Sequence, residues 1–140
     1  MSMEEQCARG FPGQVFSGRG EGSFYVSIYA KMFRKALGFT PYPGTLNIRL
    51  APKYVDVFND CLRLVPKIIV NPPPVEGAKL ARVVVYPLYV NGLPAYGVKP
   101  EITVYKGDVV EVISDKYLRE TLRLRDGDTV YVSLAIGGLE

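Results

Sequence analysis

The run Gly38-Phe39-Thr40-Pro41-Tyr42-Pro43-Gly44-Thr45-Leu46-Asn47-Ile48-Arg49-Leu50 constrains the fold more than any other stretch of the chain. Pro41 and Pro43 hold φ at a value suited to extended or turn backbone, and Gly44 then lets the chain bend sharply. A strand is expected to start at once. Strand side chains alternate faces, so Leu46, Ile48 and Leu50 share an apolar face while Thr45 and Asn47 stand together on the other. The apolar face asks for a core. The polar face offers two neutral oxygen donors of the kind that hard cations such as Mg²⁺ accept. Without a carboxylate the pair holds such an ion weakly, so the missing negative charge has to arrive with a phosphorylated ligand. A turn followed by a strand with two solvated polar side chains is the plain alternative, since Thr and Asn are common beside turns.

The 140-residue chain contains no histidine, which removes the usual general base, the Ser–His and Cys–His dyads and imidazole metal sites. Any metal has to be held by oxygen. Cys7 and Cys61 are too few for a disulfide scaffold and form no CxxC pair, so they are read as a tail residue and a small buried hydrophobe. At 48% hydrophobic and 22% charged residues the chain is globular rather than disordered, and its length suits one domain with a real core. No apolar run approaches a membrane span, and Met1-Ser2-Met3-Glu4-Glu5 lacks the basic-then-apolar order of a signal segment. A cytoplasmic protein without membrane contact is expected. A net charge of +3 suits a phosphate-binding pocket as well as weak contact with nucleic acid.

In chain order, residues 1–10 are expected as a flexible tail and 11–136 as the domain. Phe11, Val15 and Phe16 outline a first strand interrupted at Gly13, and Gly18-Arg19-Gly20-Glu21-Gly22-Ser23 follows as a loop. Glycines at every second position let backbone N–H groups approach phosphate oxygens, though a ligand-free hairpin loop has the same composition. The run is neither a Walker A loop nor a GxGxxG dinucleotide fingerprint. Phe24-Tyr25-Val26 reads as a strand. Ile28, Met32, Phe33, Ala36 and Leu37 then fall on one stripe opposite Lys31, Arg34 and Lys35, which predicts a helix over Ser27–Leu37 ended by Gly38.

Val57, Phe58, Cys61, Leu62 and Val65 predict a second amphipathic helix, Lys67–Val70 a short strand, and Asn71-Pro72-Pro73-Pro74 an exposed connector. Ala81–Val90 predicts a long strand broken near Pro87, with Asn91-Gly92 as a hairpin turn and a return strand beginning at Tyr96. Gly107-Asp108-Val109-Val110-Glu111-Val112 and Gly127-Asp128-Thr129-Val130-Tyr131-Val132 share one pattern, a tight turn entering a strand, as the strands of a barrel would. Between them Ser114 or Asp115 is placed to cap a short helix, with Leu118 and Leu122 inward and Lys116 and Arg119 left to face an anion.

Taken together, Gly18-Arg19-Gly20-Glu21-Gly22, Leu37-Gly38-Phe39 leading into Pro41-Tyr42-Pro43-Gly44-Thr45-Leu46-Asn47, Val110-Glu111-Val112-Ile113, Leu118-Arg119 and Asp126-Gly127-Asp128 resemble the archaeal CTP-dependent riboflavin kinases, over roughly residues 11–134. The resemblance implies a mainly β fold, a six-stranded cradle-loop β-barrel with two or three short helices. It implies an enzyme that transfers the γ-phosphoryl group of CTP to riboflavin with Mg²⁺, giving FMN and CDP. By the same resemblance Gly18, Arg19, Gly20, Glu21, Gly22 and Ser23 contact the nucleotide, as do Lys116, Tyr117, Leu118 and Arg119. Thr103 and Glu111 contact the flavin, and Thr45 and Asn47 hold Mg²⁺. Glu111 is also the carboxylate that could serve as base for the ribityl hydroxyl. Residues 52–79 depart from the family pattern and receive no role. A small β-barrel that binds nucleic acid or regulates without catalysis is a reading of another class, although the basic residues are scattered rather than gathered into a stripe.

Overall fold

Among the described residues, seven strands gather much of the apolar core into one sheet that closes on itself. The computed structural model describes residues 2–18, 21–77, 80–103 and 105–136. The strands are β1 (Phe11–Phe16), β2 (Leu46–Leu50), β3 (Ile68–Val70), β4 (Val83–Val90), β5 (Leu93–Pro100), β6 (Val109–Ile113) and β7 (Thr129–Leu134). β4, β5, β6, β2, β1 and β7 pair antiparallel in that order, and β7 pairs back onto β4 to complete a six-stranded barrel. β3 adds to the first half of β4.

The two faces of this sheet have separate tasks. Val15, Ile48 and Val110 lie in register across β1, β2 and β6 and belong to the barrel core. One residue along, Phe16, Asn47, Glu111, Val98 and Val85 form a row across β1, β2, β6, β5 and β4 on the opposite face. That outer face receives α2 (Glu21–Leu37), whose Val26, Tyr29 and Phe33 pack on Val70, Val83, Val85 and Val98.

The helix therefore begins at Glu21 rather than Ser27, and Phe24-Tyr25-Val26 is helical, not a strand. Burying Val26, Tyr29 and Phe33 at steps of three and four residues contributes about 1.5–3 kcal/mol for each side chain, which outweighs a β preference of about 1 kcal/mol. Of the expected glycine loop, Glu21, Gly22 and Ser23 form the first turn of this helix. Arg19 and Gly20 lie outside the described residues.

The expected tail instead carries α1 (Met3–Cys7), capped by Ser2 Oγ, which accepts from Glu5 N at 3.1 Å. Cys7 is fully buried and forms a disulfide with Cys61, so neither cysteine is free. Cys61 ends α3 (Val55–Cys61), the predicted second helix, which lies between 3-10 turns at Pro52–Tyr54 and Leu62–Leu64 and packs Phe58 edge-on against Phe11, with ring centroids 5.4 Å apart.

Pro87 does not break β4. It falls between the part of the strand paired with β3, which ends at Val85, and the part paired with β7, which begins at Leu88. No ladder on that side asks for its missing N–H. Gly13 likewise leaves β1 continuous, and the return strand starts at Leu93 directly after the Asn91-Gly92 turn, where φ is +48° and +83°. The helix expected after Ser114 shrinks to α4 (Leu118–Thr121), whose N-cap is Tyr117 without a side-chain cap bond. Ser114 Oγ accepts from Lys116 N at 3.1 Å, which shapes a turn in place of a helix start. Among the described residues no helix is long and apolar enough to cross a membrane.

Candidate active site

Because Leu46 and Ile48 point into the barrel core, the alternation of β2 turns Thr45 and Asn47 toward α2. Thr45 Oγ1 donates to Asn47 Oδ1 at 2.9 Å, and Asn47 is 6% exposed. Two glycines press the neighbouring backbone onto this pair. A β-carbon on Gly22 would stand 2.7 Å from Thr45 Oγ1, and one on Gly18 would stand 2.8 Å from the Tyr105 hydroxyl and overlap Asn47 Nδ2. Only glycine permits so close an approach.

A cavity of about 630 Å³ opens between α2 and the outer row of the barrel. Its polar lining comes from Ser17, Gly18, Gly22, Thr45, Asn47 and Arg119, and its aromatic and apolar lining from Tyr25, Ile28, Tyr29, Leu80, Pro100 and Ile102. Glu111 lines it too, with polar Asn47 as register neighbour on one side and apolar Val98 on the other. Ser23, Thr103 and Tyr117 are also in the wall. Lys116 and Leu118 instead border a smaller recess of about 50 Å³ that shares Thr45, Tyr117 and Arg119 with the main cavity. Leu118 is 4% exposed and packs in the barrel core. Glu21 contributes backbone to α2, and its side chain is not among those described.

Among the described residues Arg119 is the cation at the polar end. Its Nη2 donates to Asp126 Oδ1 at 2.8 Å, to Phe16 O at 3.3 Å and to Ser17 Oγ at 3.4 Å. Ser17 Oγ also donates to Asp126, 2.7 and 3.0 Å from its two oxygens. The Ser17 hydrogen bond, and after it the Arg119 guanidinium, hold the Asp126 carboxyl below its ordinary value. At the apolar end burial pushes both tyrosine hydroxyls upward in pKa, that of Tyr25 with help from the Glu111 charge, so both stay neutral donors near pH 7. Tyr29 donates to Ala81 O. The Tyr25 hydroxyl is buried and has no hydrogen-bond partner among the described residues.

Sequence reasoning missed Ser17, Tyr25, Tyr29 and Tyr105 as wall residues. Tyr25 and Tyr29 are four residues apart and would have shared a face once the helix was extended to Glu21. Tyr105 comes from the connection before β6 and carries no local signal.

Among the described residues there is no group of three or more His, Cys, Asp or Glu side chains able to hold a metal. The Thr45 and Asn47 oxygens nevertheless suit Mg²⁺. The two are side-chain oxygens on neighbouring positions of one face, a donor type that a hard cation accepts. Both oxygens are neutral, so a cation held there would need its balancing charge from a bound anion such as phosphate.

A sequence profile of the CTP-dependent riboflavin kinases, described as a domain of unknown function DUF120, matches residues 15–134. The riboflavin kinase of Aeropyrum pernix is 50% identical over 121 residues, covering 86% of this chain and 91% of that protein. The riboflavin kinase of Staphylothermus marinus is 44% identical over 120 residues, covering 86% and 87%. For that of Archaeoglobus fulgidus, 41% identical over 126 residues, the coverage is 89% of this chain but only 54% of the relative. With most of its length and every strand of the barrel body inside the matched region or bordering it, this chain belongs to the CTP-dependent riboflavin kinase family.

Proposed function

We propose that this protein is a riboflavin kinase that transfers the γ-phosphoryl group of CTP to riboflavin, giving FMN and CDP. The observation that carries the reading is the composition of one cavity: neutral oxygens and an arginine at one end, tyrosine rings and aliphatic side chains at the other, and Glu111 between them. A planar flavin ring suits the aromatic end, and a triphosphate suits the polar end. The N-terminus of α2 stands over Thr45, so the first N–H groups of the helix add partial positive charge there.

Phosphoryl transfer asks a protein mainly for positioning and charge balance. Gly18 and Gly22 let backbone close over the phosphates, and Arg119 balances the charge that develops on the transferred group. Thr45 and Asn47 would hold Mg²⁺, which when bound neutralises phosphate oxygens. Glu111 and Thr103 orient the flavin, and Glu111 accepts the ribityl hydroxyl proton late in a loose transition state. The recess bordered by Tyr42, Ser114, Lys116 and Tyr117 adjoins the polar end of the cavity, with the Tyr42 and Tyr117 rings stacked on each other, and offers Lys116 to the nucleotide. The working residues fall within 11–136, and the Cys7–Cys61 disulfide ties α1 to that unit. We place the protein in the cytoplasm.

The test is incubation with riboflavin and Mg²⁺ and either CTP or ATP, followed by chromatography for FMN. FMN and CDP are expected with CTP. Failure with every nucleoside triphosphate, together with salt-sensitive binding of oligonucleotides, would replace this reading with that of a nucleic-acid module. Thr45→Ala and Asn47→Ala are each expected to lower the Mg²⁺-dependent rate roughly a hundredfold while leaving thermal unfolding in place. Unchanged turnover in both would remove them as metal ligands.

A further inference from the structure

Asp126 grips the cavity wall without belonging to it. Phe16, Ser17 and Arg119 line the cavity, and Asp126 does not. The carboxylate nonetheless receives both the Ser17 hydroxyl and the Arg119 guanidinium. Those two side chains come from separate segments, the end of β1 at the root of the glycine run and the short helix α4.

The turn that carries Asp126 is itself held by backbone. Gly127 N donates to Val15 O at 2.7 Å, Val15 N donates to Asp128 O at 2.9 Å, and Leu124 N donates to Arg119 O at 2.7 Å. Arg125 N is fixed by Asp128 Oδ2 at 2.8 Å. The carboxylate therefore rides on a rigid rim, while the groups it holds are side chains that would otherwise rotate.

The side chains of Arg119 and Asp126 are 25% and 55% exposed. An ion pair this open to water contributes little to fold stability. Its consequence lies in order. An arginine already held in one rotamer gives up less freedom on meeting a ligand than one that must be fixed by the ligand itself.

We propose that Asp126 is a positioning residue for the phosphate donor, holding Arg119 and Ser17 in the arrangement that meets the triphosphate. This rests on the kinase reading, which puts the triphosphate at the polar end.

Asp126→Ala removes the anchor, and Asp126→Asn keeps its shape and one acceptor oxygen without the charge. FMN formation is measured with each substrate varied, binding of CTP alone is measured by calorimetry, and thermal midpoints are recorded. Asp60→Asn is the control, since Asp60 on α3 pairs with Arg63 of the following 3-10 turn at 3.9 Å, outside the cavity wall.

In Asp126→Ala the KM and Kd for CTP are expected to rise roughly tenfold, equivalent to ~1.4 kcal/mol. The rise in Asp126→Asn is smaller but at least threefold. The KM for riboflavin stays within twofold, and the thermal midpoint moves no further than in the control. Because Asp126 acts chiefly through Arg119 and only in part through Ser17, adding Asp126→Ala to Arg119→Ala changes CTP affinity less than threefold. CTP constants within threefold of wild type in both Asp126 variants, additive losses in the double variant, or an equal loss of riboflavin affinity and thermal stability would each overturn the proposal. Wild-type protein that binds CTP but forms no FMN ends the kinase reading and leaves Asp126 to be judged from CTP binding alone. Wild-type protein that binds no nucleoside triphosphate overturns both.

Discussion

Gly22 sets two demands against each other at a single atom. In the first turn of α2, alanine is the better helix former by roughly 0.8–1 kcal/mol, yet its β-carbon would stand 2.7 Å from Thr45 Oγ1. Gly22→Ala should therefore leave the thermal midpoint within about 3 °C of wild type while lowering FMN formation at least tenfold. Melting curves and product chromatography separate the two effects, and a fast Gly22→Ala enzyme would mean that contact with Thr45 does not matter for turnover. Asp126 makes the pH-dependent prediction at this scale. Its carboxyl is held below the ordinary 3.8 in the folded protein, so what the ionised group contributes is present above that value and is lost as pH falls below it. The ratio of CTP affinities between wild type and Asp126→Asn cancels the nucleotide's own titration. That ratio should stay constant above roughly pH 5 and shrink toward one in stronger acid.

Among the elements, α1 and α3 show what one covalent link accomplishes. Five residues are too few for a helix to persist alone in water, and α1 is held by its Ser2 cap and by the disulfide from Cys7 to Cys61, 54 residues apart. Chain entropy over a loop of that length is worth about 4 kcal/mol. Replacing both cysteines by alanine should lower the unfolding free energy by that order in denaturant titration, with FMN formation at 25 °C nearly unchanged, because neither helix lines the main cavity. A reading of composition alone treats two cysteines as unrelated. Their pairing depends on α1 folding back over the barrel end beside α3, a contact between residues far apart in sequence. The same limit applies to α2. Its second half was legible from the stripe Ile28, Met32, Phe33 and Leu37, whereas its first turns were not, because glycine and β-branched or aromatic residues locally favour loop and strand.

At the scale of the whole molecule, closure of the barrel removes slack. Gly97 pairs with Tyr86 across β4 and β5, and a β-carbon there would overlap the Tyr86 ring, which is 4% exposed in the barrel core. Neither strand can back away while each is paired on its other side as well. Gly97→Ala should cost about 1–3 kcal/mol, read as a lower denaturant midpoint with an unchanged slope. The sequence by itself located most of the barrel strands though not all their bounds, the Asn91-Gly92 turn, the apolar and polar faces of β2, and the family, because each of these is written in neighbours a few residues apart or in a specific run such as Pro41 to Asn47. Tertiary structure alone decided that Cys7 meets Cys61, that Pro87 sits in an unbroken strand, that α2 begins at Glu21, and that Ser17, Arg119 and Asp126 share one cluster. Each of those outcomes depends on which groups burial and strand pairing bring together across long stretches of chain, and no local pattern encodes such distances.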